Sequence, residues 1–150
     1  MSNSPRRELL LVEDNPDDLE LELRALGQAN LSHRVQVARD GAEALAFIFG
    51  EGPQTARNLP DLPTIIMLDL KLPKIDGLEV LRRLRADPRT REVPVAVLTS
   101  SKEQQDIIES YRLGVNSYIV KPVDFTGFTQ TVQKLGLYWL LLNEPPLSKR

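Results

Sequence analysis

Four apolar segments of this chain each run into residues able to do chemistry. "LLLVEDNPDD" leads into Glu13 and Asp14, and "IIMLDLKLP" into Asp69; "VPVAVLTSS" leads into Thr99, Ser100 and Ser101, and "SYIVKP" into Lys121. Each has an ordinary explanation when taken alone, since carboxylates cap turns, threonine favours strands and lysine is usually solvated. Their coincidence is the signal. If the four segments are strands of one parallel sheet, three carboxylates, several hydroxyls and one ammonium gather at a single edge. Open α/β sheets bind ligands outside the carboxyl ends of their strands. Clustered carboxylates repel one another and need a counter-charge. With no cysteine and a single histidine in the chain, the ligand set is oxygen and suits a hard cation such as Mg2+. A carboxylate surrounded by a metal, a lysine and a hydroxyl is arranged for phosphoryl chemistry. Asp69 can serve as the nucleophile, with Lys121 and Thr99 on the phosphoryl oxygens.

The elements that must position these residues follow from periodicity. Glu8 to Glu13 reads as a strand, followed by a helix over "NPDDLELELRALGQA" with Asn15 at its N-cap, Pro16 in its first turn and Leu19, Leu23 and Leu26 at helical spacing. "RVQVA" is a second strand, preceding a short helix that carries Leu45, Ile48 and Phe49 on one side. The run Ile65 to Leu68 is a third strand, uniformly apolar and so buried on both faces. A helix with Leu78, Leu81 and Leu84 follows, then the strand "VPVAVLT", a helix stopped by Gly114, the strand "SYIV" and a last helix from about Asp124 to Leu142. Five strand–helix repeats predict a parallel sheet with helices on both faces. One connection, Gly50 to Pro63, is much longer than the ~2–6 residues usual in such folds and reads as an elaboration.

At 150 residues, 41% hydrophobic and 27% charged, the chain has the composition of one globular domain, with 1–6 and 144–150 expected as flexible tails. Nothing resembles a signal-peptide core or a membrane span, which together with the missing cysteines points to the cytoplasm. A net charge of −2 with dispersed basic residues gives no nucleic-acid surface. His33 opens the second strand, away from the strand-end residues, and reads as a surface residue.

The segments "LLLVEDNPDD", "IIMLDLKLPKIDGLEVL", "VPVAVLTSS" and "GVNSYIVKPVD" resemble the signature segments of the response-regulator receiver domain, the CheY-like fold, over about residues 8–140. The resemblance implies a flavodoxin-like five-stranded sheet of order 2-1-3-4-5. It implies Asp69 as phosphoacceptor and Mg2+ held by Asp14, Asp69 and the backbone carbonyl of Lys71, with Glu13 acting through water. It further implies Thr99 and Lys121 on the phosphoryl group, Tyr118 as the switch aromatic and a cis bond before Pro122. The donor would be a sensor histidine kinase. The long loop and the "YWLLLNEPP" ending resemble stand-alone response regulators that partner bacterial phytochrome kinases. Only "NEPPLSKR" follows Leu142, so output is expected through protein contacts or a phosphorelay.

On the last helix, Phe128, Val132, Leu135, Trp139 and Leu142 form one stripe, whereas Leu137, Leu140 and Leu141 fall opposite at 100° per residue. One helix cannot bury both sides on one sheet, so the second set predicts a homodimer interface. Other readings are a phosphorylation-independent binding module on the same scaffold and an Asp-nucleophile phosphatase. The phosphatase would want a second acid two residues past Asp69, where Lys71 stands.

Overall fold

Three strands are buried along their whole length: β1 (Leu9–Val12), β3 (Ile65–Leu68) and β4 (Val95–Thr99). β2 (Val35–Ala38) and β5 (Ser117–Val120) are only partly covered because they lie at the edges. The sheet is parallel throughout, in the order β2-β1-β3-β4-β5. The computed structural model describes residues 8–50, 62–122 and 124–144. Residues 51–61 of the long connection, the expected tail 1–6 and all of the expected C-terminal tail except Glu144 lie outside the described residues.

Because side chains alternate across a strand, each strand supplies two cores. Leu10, Val12, Ile66, Leu68, Val95 and Val97 face α2 (Gly41–Phe49) and α3 (Gly77–Ala86). Leu9, Leu11, Ile65, Met67, Ala96 and Leu98 face α1 (Pro16–Gln28) and α5 (Phe125–Leu137). α4 (Gln104–Arg112) is the least embedded helix and buries only Ser110. Its end is held by Arg85, whose guanidinium donates to the carbonyls of Leu113 and Gly114 at 2.8 and 3.0 Å. Asn15, Asp40, Asp76 and Asp124 cap α1, α2, α3 and α5 through their side chains. His33 lies in a 3-10 turn (Ser32–Arg34) just before β2 rather than opening it, and is exposed.

The C-terminal helix departs from the expected phase. After Leu137 the backbone widens into a π-helical turn, Tyr138–Leu142, closed by the Asn143 amide on the Tyr138 carbonyl at 2.6 Å. Each residue of such a turn advances less than 100° about the axis. Leu140, expected outward, therefore swings into the core and is fully buried, while Leu142, expected inward, is 73% exposed. The buried row becomes Phe128, Val132, Gly136 and Leu140. Gly136 matters there: a Cβ on it would stand 2.6 Å from a Leu26 methyl, so glycine lets α5 close on α1. Of the leucines expected at a partner surface, Leu137 is half-buried and Leu141 remains exposed, beside Tyr138.

Candidate functional site

The register of the sheet assembles the site. Val12 pairs with Leu68, and the Asp69 amide donates to the Val12 carbonyl at 3.1 Å, so Glu13 and Asp69 leave neighbouring strands together. Thr99 pairs with Val120, and the Lys121 amide donates to the Thr99 carbonyl at 2.8 Å, which puts the lysine beside the threonine. Gly77 permits the close fit behind the acceptor loop, because a Cβ there would lie 2.5 Å from the Asp69 carbonyl oxygen.

Asp69 is buried, and every hydrogen bond it accepts comes from a residue at this edge. Its Oδ1 accepts from the Thr99 hydroxyl at 2.7 Å and from the Lys71 amide at 3.1 Å; its Oδ2 accepts from the Lys121 ammonium at 2.8 Å. The ammonium also reaches Glu13 Oε1 at 3.0 Å and Asp18 Oδ2 at 2.7 Å. Two of the ammonium's three N–H donors are thus hydrogen-bonded, to Asp18 and Asp69, and its charge is also paired with Glu13. Burial alone would lower the Lys121 pKa, but the hydrogen bonds to Asp18 and Asp69 and the charges of Asp69 and Glu13 outweigh it and hold the amine protonated, above its ordinary range.

Two acids of this constellation sit on α1 and were read from the sequence only as ordinary helix residues. Asp18, in the first turn, binds Lys121; Glu22, one turn on, is buried and hydrogen-bonded to Glu13. Burial, reinforced by the Glu13 charge, pushes the Glu22 carboxyl up to about 10, so at neutral pH it is a neutral acid that donates to Glu13. Burial likewise raises Glu13, against the hydrogen bond from Glu22 and the Lys121 charge. A signal for Glu22 existed in the sequence: it lies three residues after Leu19 and four before Leu26, inside the apolar stripe.

On the other side of Asp69 the site runs into α4. The Ser101 hydroxyl donates to Asp106 at 2.5 Å, and the Tyr118 hydroxyl donates to the Ser101 carbonyl at 3.0 Å. Tyr118 is thus turned inward from β5, and burial raises its phenol pKa. Lys71 extends over the same region, 3.7 Å from Asp106 and 3.8 Å from Glu103. A cleft of about 360 Å³ opens here, walled by Asp14, Lys71, Pro73, Asp76 and Asp106 among others.

The expected metal ligands come together. Glu13, Asp14 and Asp69 each offer a carboxylate oxygen, all within 4.8 Å of one another, and the set fits a hard divalent cation by charge and donor type. One expectation is corrected. No peptide bond among the described residues is cis, so Lys121–Pro122 is trans. The trans form is the intrinsically preferred one by ~0.5–1 kcal/mol, and Lys121 reaches Asp69 from it.

Comparison with known proteins accords with this geometry. Residues 9–133 match the response regulator receiver domain. The chain is 38% identical over 138 residues to the response regulator Rcp1 of Synechocystis sp., covering 92% of each. The Mn(2+)-bound structure of Rcp1 is similar at a TM-score of 0.84, with 35% identity over 94% of this chain and 99% of that one. The phosphorylated cyanobacterial phytochrome response regulator RcpA is similar at a TM-score of 0.85, with 38% identity over 95% of this chain and 99% of that one. The bacteriophytochrome response regulator AtBRR is 50% identical, with a TM-score of 0.68 over 92% of this chain and 98% of that one.

Proposed function

The chain belongs to the response regulator receiver domain family, and from that premise we propose that a sensor histidine kinase of the phytochrome kind phosphorylates it on Asp69. One observation carries the reading: a buried strand-end carboxylate lies 2.7 Å from the Thr99 hydroxyl and 2.8 Å from the Lys121 ammonium, beside two further carboxylates. In the transfer an Asp69 oxygen attacks phosphorus. The bond from phosphorus to the donor histidine nitrogen breaks, the imidazole keeps the electron pair, and the carboxylate becomes an acyl phosphate. Thr99 and Lys121 then donate to the phosphoryl oxygens, where the negative charge now resides. Asp14, Asp69 and the Lys71 carbonyl would hold Mg2+, with Glu13 acting through water, and the bound ion would offset the charge between these acids and the phosphoryl oxygens.

Moving the Thr99 hydroxyl from carboxylate to phosphoryl shifts the end of β4, and Tyr118 registers this through its bond to the Ser101 carbonyl. The output is a change in the α4–β5 surface, read in the cytoplasm by a protein partner or passed along a phosphorelay. Catalysis is confined to the protein's own phosphorylation and dephosphorylation. A phosphatase is disfavoured because Lys71, two residues past the nucleophile, offers no general acid. The exposed Tyr138, Leu141 and Leu142, with half-buried Leu137, support a homodimer through the C-terminal turn.

The test is labelling by acetyl phosphate or a phytochrome kinase with Mg2+. Wild type should carry one phosphoryl group and Asp69→Asn none; undiminished labelling of the variant removes the assignment. Sedimentation at micromolar concentration should show a dimer that Leu141→Glu with Leu142→Glu converts to a monomer still competent for labelling. A wild type that stays monomeric, phosphorylated or not, disproves the interface.

A further inference from the structure

We infer that Asp18 is a positioning residue that parks the Lys121 ammonium and competes with the phosphoryl group for it. The inference rests on Asp69 being the phosphoacceptor. The ammonium is hydrogen-bonded to Asp18 at 2.7 Å and to Asp69 at 2.8 Å and ion-paired with Glu13 at 3.0 Å. A phosphoryl oxygen must compete for the ammonium with these carboxylates, of which Asp69 frees its own hydrogen bond only once the acyl phosphate has formed. Asp69 is the reacting group. The Glu13 side chain is 1% exposed, accepts from the Asn15 amide at 3.2 Å and is tied to Glu22, so it is fixed and out of reach of bulk water. The Asp18 side chain is 30% exposed and lies outside the acidic set that could hold a metal.

Local structure makes Asp18 the acceptor most easily released. Its backbone amide is fixed by the Asn15 side chain at 2.9 Å, so the helix start stays put while the carboxylate moves. It sits in the first turn of α1, where the helix N-terminus stabilises a carboxylate without Lys121. While it holds the ammonium, it also adds a negative charge beside the path of an anionic donor. Its removal should therefore speed phosphorylation, the opposite of what losing a merely structural contact does.

Asp18→Asn keeps the shape and a hydrogen-bond acceptor but removes the charge that makes this bond strong. Its rate of Asp69 labelling by acetyl phosphate, at excess Mg2+, should rise about threefold to tenfold, the factor separating a charge-assisted from a neutral hydrogen bond. Asp17→Asn, an exposed neighbour in the same turn that loses the same charge, controls for long-range electrostatics and should stay near wild type. Asp18→Glu should return the rate toward wild type. A second readout needs no phosphorylation: proton exchange of the Lys121 ammonium, followed by NMR in chelator, should quicken in Asp18→Asn and not in Asp17→Asn. The tether is overturned if Asp18→Asn labels no faster than Asp17→Asn, or if ammonium exchange is unchanged. Absence of label on wild-type Asp69 would instead overturn the phosphoacceptor reading, and this inference with it.

Discussion

Two lysines stand on the two sides of the site, and both face carboxylates. Lys121 meets three of them at 2.7–3.0 Å with its side chain 10% exposed. Lys71 meets two at 3.7 and 3.8 Å with its side chain 58% exposed. Both are lysine–carboxylate contacts, but their physical weight differs. On the α1 side, low exposure and short distances make each charge depend on the others, and Glu22 is held neutral to fit. On the α4 side, water competes for both Lys71 contacts, so those pairs form and break easily. A receiver site needs both regimes: a fixed framework that holds reacting groups in place and a loose margin that can move when the phosphoryl group arrives.

The largest effect should come from the fixed side. Lys121→Ala strands three acids around one vacated position, and breaking a buried ion pair by deleting one partner typically costs about 3–5 kcal/mol. Thermal unfolding in chelator should fall by roughly 10 °C, and labelling of Asp69 should slow sharply. An unchanged melting temperature would mean that the Lys121 cluster is no more coupled than a surface pair.

Glu22→Gln should act in the stabilising direction. Folded, Glu22 keeps its proton up to about pH 10; unfolded, it loses it near 4.5. Between those values folding must take up a proton, so the wild type loses stability as pH rises through that window. Glutamine needs no proton and can still donate to Glu13. In chelator the variant should match wild type below about pH 4.5 and exceed it by about 3 kcal/mol at pH 7. Parallel stability–pH curves for the two proteins would contradict a neutral Glu22.

The smallest effect belongs to the loose side. Lys71→Ala should change stability by less than about 0.5 kcal/mol, and that change should shrink with added salt. A loss as large as that of Lys121→Ala would erase the contrast between the two sides.

Much of the site was legible in the sequence, because its logic is local. Glu13, Asp69, Thr99 and Lys121 each follow an apolar run directly, and in a parallel sheet residues just past the strands share one edge. The same holds for Asn15 as a cap and for the two-sided burial of Ile65 to Leu68, since capping and alternation depend only on near neighbours. The phase of the last helix was less secure. A rule of 100° per residue presumes an unbroken α-helix, and the π turn at Tyr138–Leu142 exchanged the places of Leu140 and Leu142.

What the sequence by itself determined, then, is the order of elements, their apolar faces and the identity of the strand-end groups, all products of side-chain periodicity and local backbone preference. Tertiary structure decided who pairs with whom. Asp18 and Lys121 are 103 residues apart, and they meet only because α1 begins and β5 ends at the site edge. Glu22 becomes a neutral acid only because α1 presses it against Glu13, away from water. Hydrogen-bond partners and proton affinities depend on which elements pack and how much water they exclude, and those are properties of the assembled fold.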